Sequence, residues 1–277
     1  MNSIEQIEGN IPFVQDLTLE SPELIKTGKM NFVDYQPDSS IYTDNSAFRM
    51  NVSSSSAYED KRRSALTFDL TVSGSSGGSL VLSSYGALGI FRQVQTRIGT
   101  QQLPQLDFAR EFASLDLHSE ADEKITMLKK LNHAGQTVGS SETIKCSIPI
   151  YDQLYGLDSC IPLPFINGGV TYDIQLGSVT DLGVATNVTG YTISIIKYHA
   201  CMIEPSQEIY QQHSAKLESG KTLDLFAEFQ QVYKFPVSSA NTNFIPLSTE
   251  VCNSLNCIHL VVKNANVPCP NLIKTFQ

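Results

Sequence analysis

A chain of 277 residues that is 41% hydrophobic can bury a substantial core, as one large β domain or two smaller ones. Charged residues make up only 17% and the net charge is -9, with no basic run longer than Lys61-Arg62-Arg63. Phosphate binding needs many clustered cations, so the composition argues against a direct nucleic-acid partner.

No apolar run reaches the ~18–20 residues of a membrane span. The opening MNSIEQIEGNIPF has neither the basic region nor the apolar core of a signal peptide. The cysteines at 146, 160, 201, 252, 257 and 269 are therefore expected as reduced, mostly buried thiols. The sequons at Asn51 and Asn187 read as chance matches.

Residues 1–45 carry Pro12, Pro22, Pro37 and scattered acids with little periodicity. They read as an extended acidic arm with short strand pieces such as Met30 to Val33. Ser53 to Ser56 is a polar turn, and Lys61-Arg62-Arg63 reads as a solvated turn. Leu66, Phe68, Leu70 and Val72 then alternate with polar residues, which predicts a half-buried strand. The Ser/Gly run Ser73 to Ser79 predicts a hairpin loop. Leu80 to Leu82 continues the sheet, and Tyr85 to Gly99 predicts another strand ending in a Gly99-Thr100 turn.

The clearest helical stretch is Asp107 to Leu131. Asp107 is a candidate cap for Phe108, Phe112 and Leu115, and Ser119 for Ile125, Leu128 and Leu131, with Gly135 as the stop. The β pattern returns at Ile144, Cys146, Ile148 and Ile150. Tyr151 to Leu157 suits one helical turn. Cys160 to Phe165 is expected extended because it holds Pro162 and Pro164. Asn167-Gly168-Gly169 is a turn, and Val170 to Leu176 and Tyr191 to Met202 are strands. The polar stretch Glu204 to Gly220 predicts a helix with a glycine stop, followed by strands within 222–263.

No catalytic, cofactor-binding or metal site is expected. Gly74-Ser75-Ser76-Gly77-Gly78 matches the nucleophile-elbow spacing, but that motif needs a strand-to-helix turn and here lies between strands. Cys252, Cys257, His259 and Cys269 fit no standard zinc spacing. His118, His133, His199, His213 and His259 are scattered, and His199 reads as a hydrogen-bonded sheet residue. Asp116, Glu120, Asp122 and Glu123 surround a helix start, where acids serve the helix dipole better than a calcium ion. The chain is not expected to be an enzyme.

Four stretches together resemble double jelly-roll major capsid proteins of polinton-like viruses and related icosahedral DNA viruses. They are YGALGIFRQVQTRIGTQQLPQLDFAREFASLDL, SIPIYDQLYGLDSCIPLPFINGGVTYDIQLGS, YTISIIKYHACMIEPSQEIYQQHSAKLESGKTLDL and FQQVYKFPVSSANTNFIPLSTEVCNSLNCIHLVVKN. The expected fold is all-β: a jelly-roll β-sandwich with a short helical excursion, followed by part of a second jelly roll. The expected division is an acidic arm and first strands at 1–62, a jelly roll at 63–204, a connecting helix at 205–221 and, at 222–277, opening strands of a second roll or closing strands of a single one.

The resemblance implies a virion structural protein, assembled inside the host cell as trimeric pseudo-hexagonal capsomers of an icosahedral shell. Its partners would be copies of itself and other capsid proteins. The acidic arm suits a shell with an internal membrane or separate DNA-binding proteins. A minor capsid or vertex protein is the nearest alternative. A β-sandwich binding module, an adhesin or carbohydrate binder, is the other.

Overall fold

The structure is a computed structural model that describes residues 29–83, 86–107, 130–155, 157, 159–223, 258–261 and 273–276. Eleven strands, β1 to β11, build two antiparallel sheets facing each other across one core. They are β1 (Lys29–Tyr35), β2 (Ile41–Thr43), β3 (Ala47–Val52), β4 (Tyr58–Leu82), β5 (Phe91–Ile98), β6 (Gln101–Gln102), β7 (Leu106–Asp107), β8 (Thr137–Gly139), β9 (Thr143–Ile148), β10 (Val170–Leu176) and β11 (Gly183–Glu204).

Two long strands, β4 and β11, pair with each other along the centre of the first sheet. On the far edge of β11 lie β1 and then β2; on the far edge of β4 lie β9 and then β8. The second sheet runs β3-β10-β5, and β6 and β7 both pair with β5. Each sheet is thus four positions wide, and the chain crosses from one sheet to the other as it advances. Eight positions filled in this way make a jelly roll, and all eight are occupied by residue 204. β1, β2 and β3, within the stretch expected to hold the arm and first strands, are members of these sheets.

The alternating patterns explain the core. Leu66, Phe68, Leu70 and Val72 of β4 face Val170, Tyr172, Ile174 and Leu176 of β10, all buried in the same cluster. Each fully buried large side chain contributes about 1.5–3 kcal/mol relative to exposure. Tyr58, Phe68, Phe91, Tyr172, Tyr191 and Tyr198 are the largest of them.

Four local expectations are corrected. The Ser73–Ser79 run does not reverse the chain: it bulges within β4, which resumes pairing with β11 at Ser79–Thr186. Gly74 and Gly78 make this possible, because both close on the Asn187 carbonyl where a Cβ would clash. Tyr85 to Gly99 is not one strand, since a buried 3-10 turn at Gly86–Ile90 precedes β5. Cys160 to Phe165 is extended only as far as Ile161, which pairs with Glu59. Leu163–Phe165 then forms a 3-10 turn that tolerates Pro164 in its first residues. Residues 151–155 form a hydrogen-bonded turn, not a helix.

Two helices are described whole, and residues 130–132 are the described end of another. The four-residue α1 (Val179–Leu182) is closed by a capping box between Ser178 and Asp181. Helix α2 (Gln207–Glu218) lies within the stretch expected to be helical; it starts after an N-cap Ser206 that accepts from the Ile209 amide, and the chain turns out of it at Gly220 with φ +76. Beyond it, β12 (Ile258–Val261) and β13 (Ile273–Phe276) form an antiparallel pair of their own. The helix expected from Asp107 to Leu131 lies almost entirely outside the described residues.

Candidate functional site

Two side-chain clusters outside the apolar core have enough chemistry to examine. The first sits inside the sandwich, where β4 begins. Glu59 and Lys61, two residues apart, both point inward and are almost wholly buried, Lys61 at 3% exposure. The Lys61 Nζ lies 3.6 Å from Asp152 Oδ1, 3.4 Å from the Tyr198 hydroxyl and 3.8 Å from the centre of the Tyr172 ring. Asp152 comes from the turn after β9, Tyr198 from β11 and Tyr172 from β10, so one ammonium ties both sheets to the covering loop. Thr96 of β5 donates to Asp152 Oδ2 at 2.7 Å, and Tyr198 donates to Glu59 Oε1 at 2.6 Å.

The electrostatics follow from burial. Desolvation pushes the Glu59 carboxyl above its usual range, against the attraction of Lys61 and the hydrogen bond from Tyr198. Burial, and next the Glu59 charge, hold the Tyr172 and Tyr198 hydroxyls well above theirs. The Lys61 ammonium over Tyr172 is a cation–π contact, strengthened by removal from water. These side chains are buried and engaged with one another, so their chemistry is that of a lock holding the sheets together.

The second cluster lies on the outer face of the first sheet. Asp34 of β1 accepts from Lys197 Nζ at 3.1 Å and lies 2.6 Å from His199 Nδ1. The His199 Nε2 lies 2.8 Å from the Thr67 hydroxyl. Acid, imidazole and hydroxyl in line resemble a nucleophile relay. Here, however, they cross three neighbouring strands on a sheet face, and the Thr67 hydroxyl also lies within 3.4 Å of the Lys197 carbonyl. The arrangement ties edge strand β1 to β11 and β4, as the reading of His199 as a sheet residue anticipates.

The other sequence candidates fall as follows. Gly74 to Gly78 lies inside β4 with no helix after it. His133 is half-buried with both ring nitrogens engaged, by Gln136 Oε1 and the Lys145 carbonyl. His213 of α2 is buried. His118, Cys252, Cys257, Cys269, Asp116, Glu120, Asp122 and Glu123 lie outside the described residues; His259 lies on β12. Cys146 and Cys201 are free, and they and Cys160 are buried. Among the described residues no group of three or more His, Cys, Asp or Glu side chains is placed to hold a metal ion.

Sequence reasoning missed the buried lock and read Lys61-Arg62-Arg63 as a solvated turn. Counting by twos from Leu66 puts Glu59 and Lys61 on the outer face. The register of β4 against β11 slips between Ala65–His199 and Asp60–Cys201, and the extra residues invert the alternation. Arg62 and Arg63 are exposed as expected; Lys61 is not.

Neither a family model nor a curated protein matches the chain. Among solved structures, the Faustovirus major capsid protein superposes with a TM-score of 0.51 at 10% identity over 69% of this chain and 57% of that one. This chain has the fold of a jelly-roll viral capsid protein. PBCV-1 VP54, as fitted into a cryo-EM reconstruction of the virophage Sputnik, superposes at a TM-score of 0.49 and 11% identity, and the quasi-atomic model of the PBCV-1 virus capsid at 0.49 and 15%. Each of these two covers 67% of this chain and 44% of its own. This chain therefore spans about half the length of these capsid proteins.

Proposed function

We propose that this chain is a structural protein of a viral capsid, which self-assembles as trimeric pseudo-hexagonal capsomers into an icosahedral shell. The observation that carries the reading is the eight-position jelly roll of residues 29–204, a fold shared with the Faustovirus major capsid protein. The interior of that roll is filled by side chains, and its buried Lys61 contacts groups from both sheets. This suits a building block better than a ligand binder.

In this reading residues 1–62 supply an acidic arm and the first strands, 63–204 the body of the roll, and 205–221 the connecting helix. Residues 222–277 open a second roll. The first roll has all its positions filled by residue 204, which favours that assignment over closing strands of a single roll. The partners are further copies of the chain and other capsid proteins, within a virion assembled inside the host cell. The net charge of -9 argues against direct contact with nucleic acid and suits a shell lined by a membrane or by separate DNA-binding proteins.

Electron microscopy of the purified, concentrated protein tests the reading. Three-lobed particles with a hexagonal outline, tiling into sheets or shells, are the expected result. Dispersed single sandwiches under all assembly conditions would contradict it.

A further inference from the structure

The buried lock carries one more carboxylate than it has cations. Glu59 and Asp152 face one Lys61 in the interior, and no other Lys or Arg side chain is buried among the described residues. Ionising every group would leave a net negative charge out of contact with water, which is costly. Asp152 is the better-placed anion: its Oδ1 also makes no hydrogen bond, but Lys61 stands 3.6 Å from it and the Thr96 hydroxyl donates to Oδ2. Glu59 is held by Tyr198, which donates to Oε1, and more weakly by Ser64, while its Oε2 is buried with no hydrogen-bond partner among the described residues.

We propose that Glu59 is a proton-binding site built into the jelly roll, neutral in the folded chain at neutral pH and surrendering its proton to solvent as this end of the sandwich loosens. The inference stands on the geometry of the lock and is independent of the capsid reading. Every element around Glu59 contributes to it. Lys61 lies on the same strand, Tyr198 and the buried Cys201 thiol on β11, Tyr172 on β10, Tyr35 on β1 and Asp152 on the covering turn. Of these only Lys61 is a cation, and it is shared with Asp152. Burial is the largest influence on Glu59 and favours the neutral acid.

The sign of the pH dependence is fixed by linkage. Unfolded Glu59 ionises near 4.5, whereas folded Glu59 keeps its proton to a higher pH. Between those two values the folded chain binds one proton more than the unfolded chain, so stability falls as pH rises. Above the folded value the loss is complete and the contribution is flat. The roll therefore has a built-in preference for mildly acidic conditions and relaxes on alkalinisation.

Urea unfolding of the full chain at several pH values from about 5 to about 8 tests this, comparing the native sequence with Glu59→Gln. A single retained proton raises the unfolding constant by up to about tenfold per pH unit inside its window. Glu59→Gln keeps the Tyr198 hydrogen bond and is expected to remove that slope. Identical slopes in the two proteins would overturn the proposal. Infrared spectra of the native protein near pH 7 provide a readout that needs no variant. A carbonyl band of a protonated carboxylic acid, present when folded and lost on unfolding at the same pH, is expected, and its absence would equally overturn the proposal.

Discussion

The Lys61 ammonium stands 3.6 Å from Asp152 Oδ1 inside the sandwich, each side chain at most 2% exposed. It joins β4 to the turn that covers the end of the two sheets. Such a pair contributes little compared with an apolar replacement, but breaking it on one side is severe. Lys61→Met is expected to cost about 3–5 kcal/mol, because Asp152 is then left buried without its ion-pair partner. The double variant Lys61→Met/Asp152→Leu should recover much of that loss. Urea unfolding of the four proteins in the cycle gives the coupling directly.

Helix α2 is held to the first sheet by a hydrogen bond between the Tyr58 hydroxyl and His213 Nδ1 at 2.6 Å, with the rings stacked at 5.7 Å. Phe165 meets both rings edge-on, and Ile203 and Ile209 complete the contact. Tyr58→Phe keeps the stack and removes the hydroxyl. It is expected to cost about 0.5–1.5 kcal/mol and to accelerate amide exchange across α2 while leaving β5 unchanged. Equal acceleration in both elements would mean that the hydroxyl is not a local clamp.

Asp34 ties edge strand β1 to β11. Hydrogen bonds, first from Lys197 and next from His199, hold its carboxyl below the usual value of 3.8. A carboxyl lowered by folding stabilises the fold above its usual value, and that contribution is lost as pH falls through the lowered one. Amide exchange over Lys29–Tyr35 should therefore show an extra acid-induced opening that Asp34→Asn abolishes. A carbon-13 titration of Asp34 should give an apparent value below 3.8.

The Cys146 and Cys201 thiols should be inert. Burial, then Asp69, pushes Cys146 up to about 12, and burial, then Asp60, pushes Cys201 up to about 11. Thiolate is the reacting species, so at about pH 8 a short pulse of iodoacetamide should label these two at least about a hundredfold more slowly than in urea. Peptide mass spectrometry reads each site separately.

Where alternation is regular, the sequence and structure agree. Leu66 to Val72, Val170 to Leu176 and the Ser206-capped helix form as their patterns predict. Agreement ends where a strand bulges. Tyr191, Ile193 and Ile195 look like one face, yet an extra residue in β11 sends Ile195 outward at 63% exposure with φ +53 and brings Ile196 inward. The slip near Asp60 likewise hid Glu59 and Lys61, and nothing local marks either position. Asp152 meets Lys61 only because the turn after β9 folds over the end of the sandwich, a contact between residues 91 positions apart that no local pattern reports.

The native mass of the purified full chain, measured by multi-angle light scattering over a wide concentration range, tests the central claim most directly. The capsomer account predicts a species of about three times the 30.5 kDa chain mass that persists on dilution. A 30.5 kDa monomer at every concentration would contradict it.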